Sequence, residues 1–190
     1  MKWLALTYLK LRGWKFLGRV PPDPRFIVIG APHTTNWDFV AFLAATRHWD
    51  FKPKYLGKHS LFDGPFGWLF RRLGGIPVDR SRPGGIIDQV KREFESSEEF
   101  ALVIAPEGTR KSAEFWKSGF VKIAAATGVP IVPAGLDYTK KTITLGDPIN
   151  YDGVPENLMT ELRTFYASTE GKHRQGAGPV RIREESTETI

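Results

Sequence analysis

Three short apolar runs constrain the fold most: Phe26–Gly30, Phe100–Ala105 and Val129–Ala134. Each is strand length rather than helix length, and each is almost wholly apolar, the pattern of strands buried on both faces. Pro130 and Pro133 place the third run near an edge, or at a point where it leaves the sheet. Weaker strand signals lie at 51–57, at Ile76–Val78 and at Lys140–Leu145, whose alternation fits an edge strand. Segments 35–47, 85–99 and 117–127 lie between strand signals and carry apolar residues at helical spacing, such as Ile86, Ile87, Val90 and Phe94. Strands alternating with helices predict an α/β fold: a single domain with a mostly parallel central sheet flanked by helices.

The N-terminus has a different character. Residues 1–18 interleave Trp3, Leu4, Leu6, Tyr8, Trp14 and Phe16 with basic residues, and the first 19 residues hold five cations and no acid. A basic, aromatic-rich helix of this kind suits an anionic membrane surface, although a helix packed on the domain has the same composition. No stretch approaches the roughly 20 apolar residues of a spanning helix. Lys10, Arg12 and Lys15 also break the run that a signal peptide requires. The chain divides into an N-terminal basic amphipathic membrane-surface helix (1–20), an α/β domain (21–170) opened by the linker Pro21-Pro22-Asp23-Pro24, and a loose polar tail (171–190).

The net charge of +6, from 27 basic and 21 acidic residues, favours anionic partners. Cysteine is absent, which excludes disulfides, thiolate nucleophiles and cysteine-ligated zinc. No G-x-S-x-G elbow is present.

The chemistry concentrates beyond strand C-terminal ends, which face the ligand crevice in parallel sheets. His33 follows the first run, and Thr34–Asn36 are residues that can cap the next helix. Asp38 then falls in the first turn of that helix, within reach of the imidazole. Such a carboxylate fixes the tautomer and leaves the other ring nitrogen as a general base. His48, His59 and His173 have Pro53, Gly64 and Gly178 at the same spacing, so His33 alone carries the pattern. Taken alone, the pair equally describes a loop histidine satisfied by a neighbour. The second segment, Ala105-Pro106-Glu107-Gly108-Thr109-Arg110, follows the Phe100 run and offers a carboxylate, a flexible backbone, a hydroxyl and a guanidinium suited to phosphate. A third, Gly74–Arg80, ends a short strand on a basic residue.

Together His33-Thr-Thr-Asn-Trp-Asp38, Gly75-Ile-Pro-Val-Asp-Arg80, Pro106-Glu-Gly-Thr-Arg110 and Val129-Pro-Ile-Val-Pro133 resemble the four sequence blocks of the glycerolipid acyltransferases, which include the acylglycerol-phosphate acyltransferases. Order and spacing agree over residues 26–136. The resemblance implies His33 as general base with Asp38 as its partner. It implies Arg80, Glu107, Gly108 and Arg110 in the acceptor site, with Thr109 beside them. It implies a fatty acyl donor carried by acyl-CoA or acyl carrier protein, a lysophospholipid or related phosphorylated acceptor, and no metal or other cofactor. It also implies a peripheral, monotopic position on the cytoplasmic face of the cell membrane. Ala31-Pro32 and Trp37 stand where the family more often has polar or small residues; Trp37 is placed to reshape the acceptor pocket. The aromatic segment Phe62–Phe70 either lines an acyl groove or packs the core, and its density favours packing.

Two other classes fit parts of the sequence. A non-catalytic lipid-binding protein would share the basic surface but has no need of His33 and Asp38. Nucleic-acid binding is suggested by the pI near 9.6, but no recognition helix or RNA-binding aromatic motif accompanies it, and none is expected as a partner.

Overall fold

A computed structural model describes residues 1–78, 85–109, 112–173 and 177–187. Arg80 and Arg110 lie outside the described residues. The elements are α1 (Lys2–Leu11), β1 (Lys15–Leu17), β2 (Arg25–Ala31), α2 (Asp38–His48), β3 (Pro53–Lys58), α3 (Gly67–Arg72), β4 (Gly75–Val78), α4 (Gly85–Ser96), β5 (Phe100–Ile104), α5 (Gly119–Thr127), β6 (Ile131–Asp137), β7 (Thr142–Leu145) and α6 (Pro155–Tyr166). The strands form one sheet in the order β1-β7-β6-β2-β5-β3-β4. Every pairing is parallel except β6 with β7.

Both faces of the sheet are covered. Along β2, Ile27, Ile29 and Ala31 turn towards α4, α5 and α6 and join Val90, Phe94, Phe120, Leu158 and Leu162 in the largest core. Phe26 and Val28 turn the other way, towards Trp49 and Phe51 at the end of α2. On that second face α1 packs on α2 through Ala5, Leu6 and Leu9. Ile27 and Ile29 are wholly inaccessible, and burying a side chain of this size stabilises the fold by about 1.5–3 kcal/mol. A charged residue at either position would have no partner and would break the core.

Several expectations are corrected. The N-terminal helix stops at Leu11, not near residue 20; Gly13 takes φ +80°, and Lys15–Leu17 joins the sheet outside β7. Lys140–Leu145 is therefore not an edge. β6 is interior rather than peripheral despite Pro133. Strand N–H groups alternate in direction, and the N–H of Ile131 reaches the carbonyl of Ile149. The nitrogen of Pro133 thus faces the same side, just before the β7 ladder begins at Ala134, so no ladder bond is lost.

The tail is not loose where it is described. Ile182 is 1% exposed and bridges to Trp116. Glu185 pairs with Arg163 of α6, and Ser118 donates to Glu184. The Phe62–Phe70 segment divides by position: Phe62 is buried against Gly57 and Gly75, whereas Phe66 and Trp68 are 63% and 65% exposed.

Candidate active site

Strands β6, β2 and β5 are neighbours and parallel, so their C-terminal ends open side by side. Ile29 pairs with Ile104 and Ala31 with Gly135. The register therefore brings together the segment after Ala31, the segment after Ile104 and the segment after Asp137.

His33 and Asp38 meet there. The Nδ1 of His33 lies 3.0 Å from Oδ2 of Asp38. An ionised carboxylate only accepts, so Nδ1 carries the hydrogen, and in the neutral ring Nε2 then holds the lone pair. The same Oδ2 accepts from the backbone N–H groups of Thr34 and Thr35 at 2.8 and 3.0 Å. The helix starts at Asp38, three residues later than residue 35, and its N-cap residue, Trp37, makes no side-chain cap bond. Instead the Asp38 carboxylate gathers the N–H groups of the loop before it. Its other oxygen, Oδ1, accepts from the hydroxyl of Tyr138 at 2.7 Å.

Burial alone would raise the Asp38 pKa. The bonds from His33, the Thr35 N–H and Tyr138 outweigh it and hold the group below the usual carboxylate value. Asp38 is 7% exposed and His33 34% exposed. The imidazole thus reaches solvent while its partner does not.

Glu107 completes the frame from β5. Its Oε2 accepts from the backbone N–H of His33 at 2.6 Å, and the residue is 3% exposed. Burial pushes its pKa up to about 7, against the lowering effect of that bond. The carboxyl points at the His33 main chain, not outward to solvent. Gly108 follows at φ +65°, a left-handed conformation that glycine adopts at least cost. A Cβ there would lie 2.9 Å from Nζ of Lys117, so the lysine ammonium sits directly over the Gly108 turn. Thr109 is exposed.

A cavity of about 320 Å³ opens beside the pair. Its walls are apolar: Phe39, Phe42 and Ala45 of α2, Val103 and Ile104 of β5, and Leu136 and Leu145 of β6 and β7. His33 and Asp38 supply its polar rim, and the Phe62–Phe70 segment contributes nothing to the lining. The volume falls within the roughly 300–1,000 Å³ of ordinary small-molecule sites.

Trp37, beside the pair, stacks on Tyr8 of α1 at 6.4 Å, and Lys172 approaches its ring at 5.5 Å. Sequence reasoning missed Tyr138 and Lys117. No spacing rule links Tyr138 to Asp38 across 100 residues. Lys117 carried a weak signal, as a cation soon after a glycine turn.

Residues 15–137 match the sequence model of the Acyltransferase family. The chain belongs to the acyltransferase family. It is 31% identical over 119 residues to a 1-acyl-sn-glycerol-3-phosphate acyltransferase of Streptococcus pneumoniae, covering 60% of this chain and 43% of that protein. It is 28% identical over 187 residues to the protein of the same name from Haemophilus influenzae, covering 86% of this chain and 75% of that one. A chloroplast relative from Brassica napus is 38% identical over 98 residues, and the chain spans only 28% of its length. Among solved structures, the 1-acyl-sn-glycerophosphate acyltransferase PlsC of Thermotoga maritima shares the fold, with a TM-score of 0.60 at 17% identity over 86% of this chain and 74% of that one.

Proposed function

We propose that this acyltransferase-family chain moves a fatty acyl group from a thioester, carried by coenzyme A or acyl carrier protein, to a hydroxyl of a phosphate-bearing lipid acceptor such as 1-acylglycerol-3-phosphate, in phospholipid synthesis. The observation that carries this reading is Asp38 itself. A buried carboxylate with four hydrogen-bond donors grips Nδ1 of a part-exposed histidine at the mouth of an apolar cavity. That arrangement orients one nitrogen and frees the other, the requirement of a general base.

The acceptor hydroxyl lies on Nε2 of His33. Nε2 takes the proton as the hydroxyl oxygen attacks the thioester carbonyl carbon. The tetrahedral oxyanion then collapses, the carbon–sulfur bond breaks, and His33 returns the proton to the leaving thiolate. Asp38 stabilises the imidazolium between these steps. The apolar cavity suits the acyl tail. Lys117, over the Gly108 turn, joins Arg110 and Arg80 as the cations available for the acceptor phosphate. Glu107 acts from below by holding the His33 backbone, which differs from a role on the acceptor itself. The names of the relatives support the acceptor class.

Attachment to the cytoplasmic face of the membrane would come through α1. Its Trp3, Leu4 and Leu11 are 63%, 75% and 83% exposed beside Lys2 and Lys10. No helix among the described residues is long and apolar enough to cross a membrane.

The test is transfer from labelled long-chain acyl-CoA, and then from acyl carrier protein, to lysophosphatidic acid, other lysophospholipids, glycerol phosphate and monoacylglycerol. His33→Ala should lower transfer about 10²–10⁴-fold with an unchanged circular dichroism spectrum. A variant that keeps most of its activity would refute the mechanism.

A further inference from the structure

We propose that Tyr138 is a positioning residue of the dyad: its hydroxyl locks the Asp38 carboxylate in plane and tempers how strongly Asp38 holds the proton on His33. The inference rests on the general-base reading above and deepens it.

The geometry is one-sided without Tyr138. Oδ2 of Asp38 receives three N–H donors, from His33, Thr34 and Thr35. Oδ1 has Tyr138 as its only donor among the described hydrogen bonds, at 2.7 Å. A carboxylate held at one oxygen can still swing about its Cβ–Cγ bond; one held at both cannot. The donor is itself well placed. Tyr138 directly follows β6, the neighbour of β2. Its N–H donates to the carbonyl of Glu170 at 2.9 Å. Trp14 meets its ring edge-on at 5.1 Å and 89°.

The electronic effect follows from the same bond. A hydrogen bond at Oδ1 draws negative charge away from Oδ2, the oxygen that faces the imidazole. The imidazolium is then stabilised enough to form but gives its proton back readily to the thiolate. Burial and the adjacent Asp38 both push the Tyr138 phenol above its ordinary pKa, so it remains a donor throughout the working range.

The other charged groups facing the cluster are left in place by a change at 138. Glu107 lies under the His33 N–H, with Lys117 beyond it over Gly108. Lys172 and His173 approach Trp37 and Thr34 from the segment after α6. On the far side of Tyr138, Asp137 pairs with Lys140 at 3.4 Å, next to Glu170. From α1 and the turn that follows it come the aromatic rings of Tyr8 and Trp14.

The experiment compares wild type, Tyr138→Phe, and the protein carrying 3-fluorotyrosine at 138, a stronger donor of nearly the same shape. Tyr138→Phe keeps the ring against Trp14 and should lower kcat about tenfold while leaving both KM values within about twofold. It should move the acid limb of the kcat profile up by about half a pH unit, because Oδ2 regains charge. Fluorotyrosine should move that limb the opposite way. A second readout needs no turnover: the pH midpoint of His33 carbethoxylation by diethyl pyrocarbonate, resolved by peptide mass, should follow the same two directions. Limbs and midpoints that stay fixed, or that move the same way in both variants, would reduce Tyr138 to packing. An acceptor KM that rises with kcat unchanged would make it a substrate contact; either result overturns the proposal. If the wild type transfers no acyl group but the midpoints move as stated, the proposed function fails and the role of Tyr138 stands. If Tyr138→Phe does not fold, the fluorotyrosine arm decides alone.

Discussion

Glu107→Gln tests the buried frame under His33 through stability rather than activity. The carboxyl has an ordinary value of 4.5 and is pushed to about 7 in the fold by burial. Between those limits the folded chain keeps a proton that the unfolded chain has lost. Stability therefore falls as pH rises through this window and levels off above it. At about 1.4 kcal/mol per pH unit the whole displacement amounts to roughly 3 kcal/mol. Glutamine cannot ionise, yet its side-chain oxygen still accepts from the His33 N–H. Urea unfolding of both proteins from about pH 5 to about pH 8 should show near equality at the acid end and an advantage of roughly 3 kcal/mol for glutamine at the alkaline end. Two other shifted groups do not confuse the comparison. Asp38 is held low, so its stabilisation is fully present across this window and is lost only as pH falls below it. His48 is also held low, by burial and by Lys10, and it gives the opposite slope equally in both proteins. Parallel curves would refute the reasoning, for they would mean that Glu107 is ionised throughout, with a cation supporting it.

Other outcomes are expected as well. Arg110→Lys replaces a fork by a point charge and should raise the acceptor KM several-fold with kcat nearly unchanged, read from initial rates. Tyr166→Phe removes a hydroxyl that donates to the carbonyl of Ile29 and accepts from the N–H of Ala134; urea unfolding should show a loss of about 1–3 kcal/mol. Ala45→Phe intrudes on the cavity from α2 and should shift donor preference to shorter acyl chains, measured by competition between chain lengths, while leaving turnover with the shortest donor intact.

The parts legible in the sequence are those that depend on local pattern. The apolar runs at 26–30 and 100–105 became β2 and β5 because strands buried on both faces have no room for polar residues. The convergence of His33 with Glu107 was legible because both follow such strands. Direction was not: a residue at a strand end can point at ligand or at main chain, and Glu107 points at main chain. Tyr138 could not be found, since only the adjacency of β6 to β2 brings it to Asp38. α6 was overlooked although its signal is present, with Pro155 at its start and Leu158, Met159 and Leu162 on one face. The break of the N-terminal helix at Leu11 turns on Gly13, whose positive φ is a backbone matter that side-chain hydrophobicity does not report. In Phe62–Phe70, burial is decided by which rings meet Gly57 and Gly75.

The adjacency of β6, β2 and β5 also ties the chemistry to the order in which the chain can fold. His33 and Asp38 lie early, but the partners that frame them are 74 and 100 residues away. Contacts that distant form only after the intervening loops have closed. On a growing chain the histidine and aspartate emerge long before the carboxyl beneath them and the hydroxyl across from them. The His33–Asp38 cluster is therefore finished with the sheet rather than before it, and no shorter piece ending ahead of Tyr138 contains a complete one.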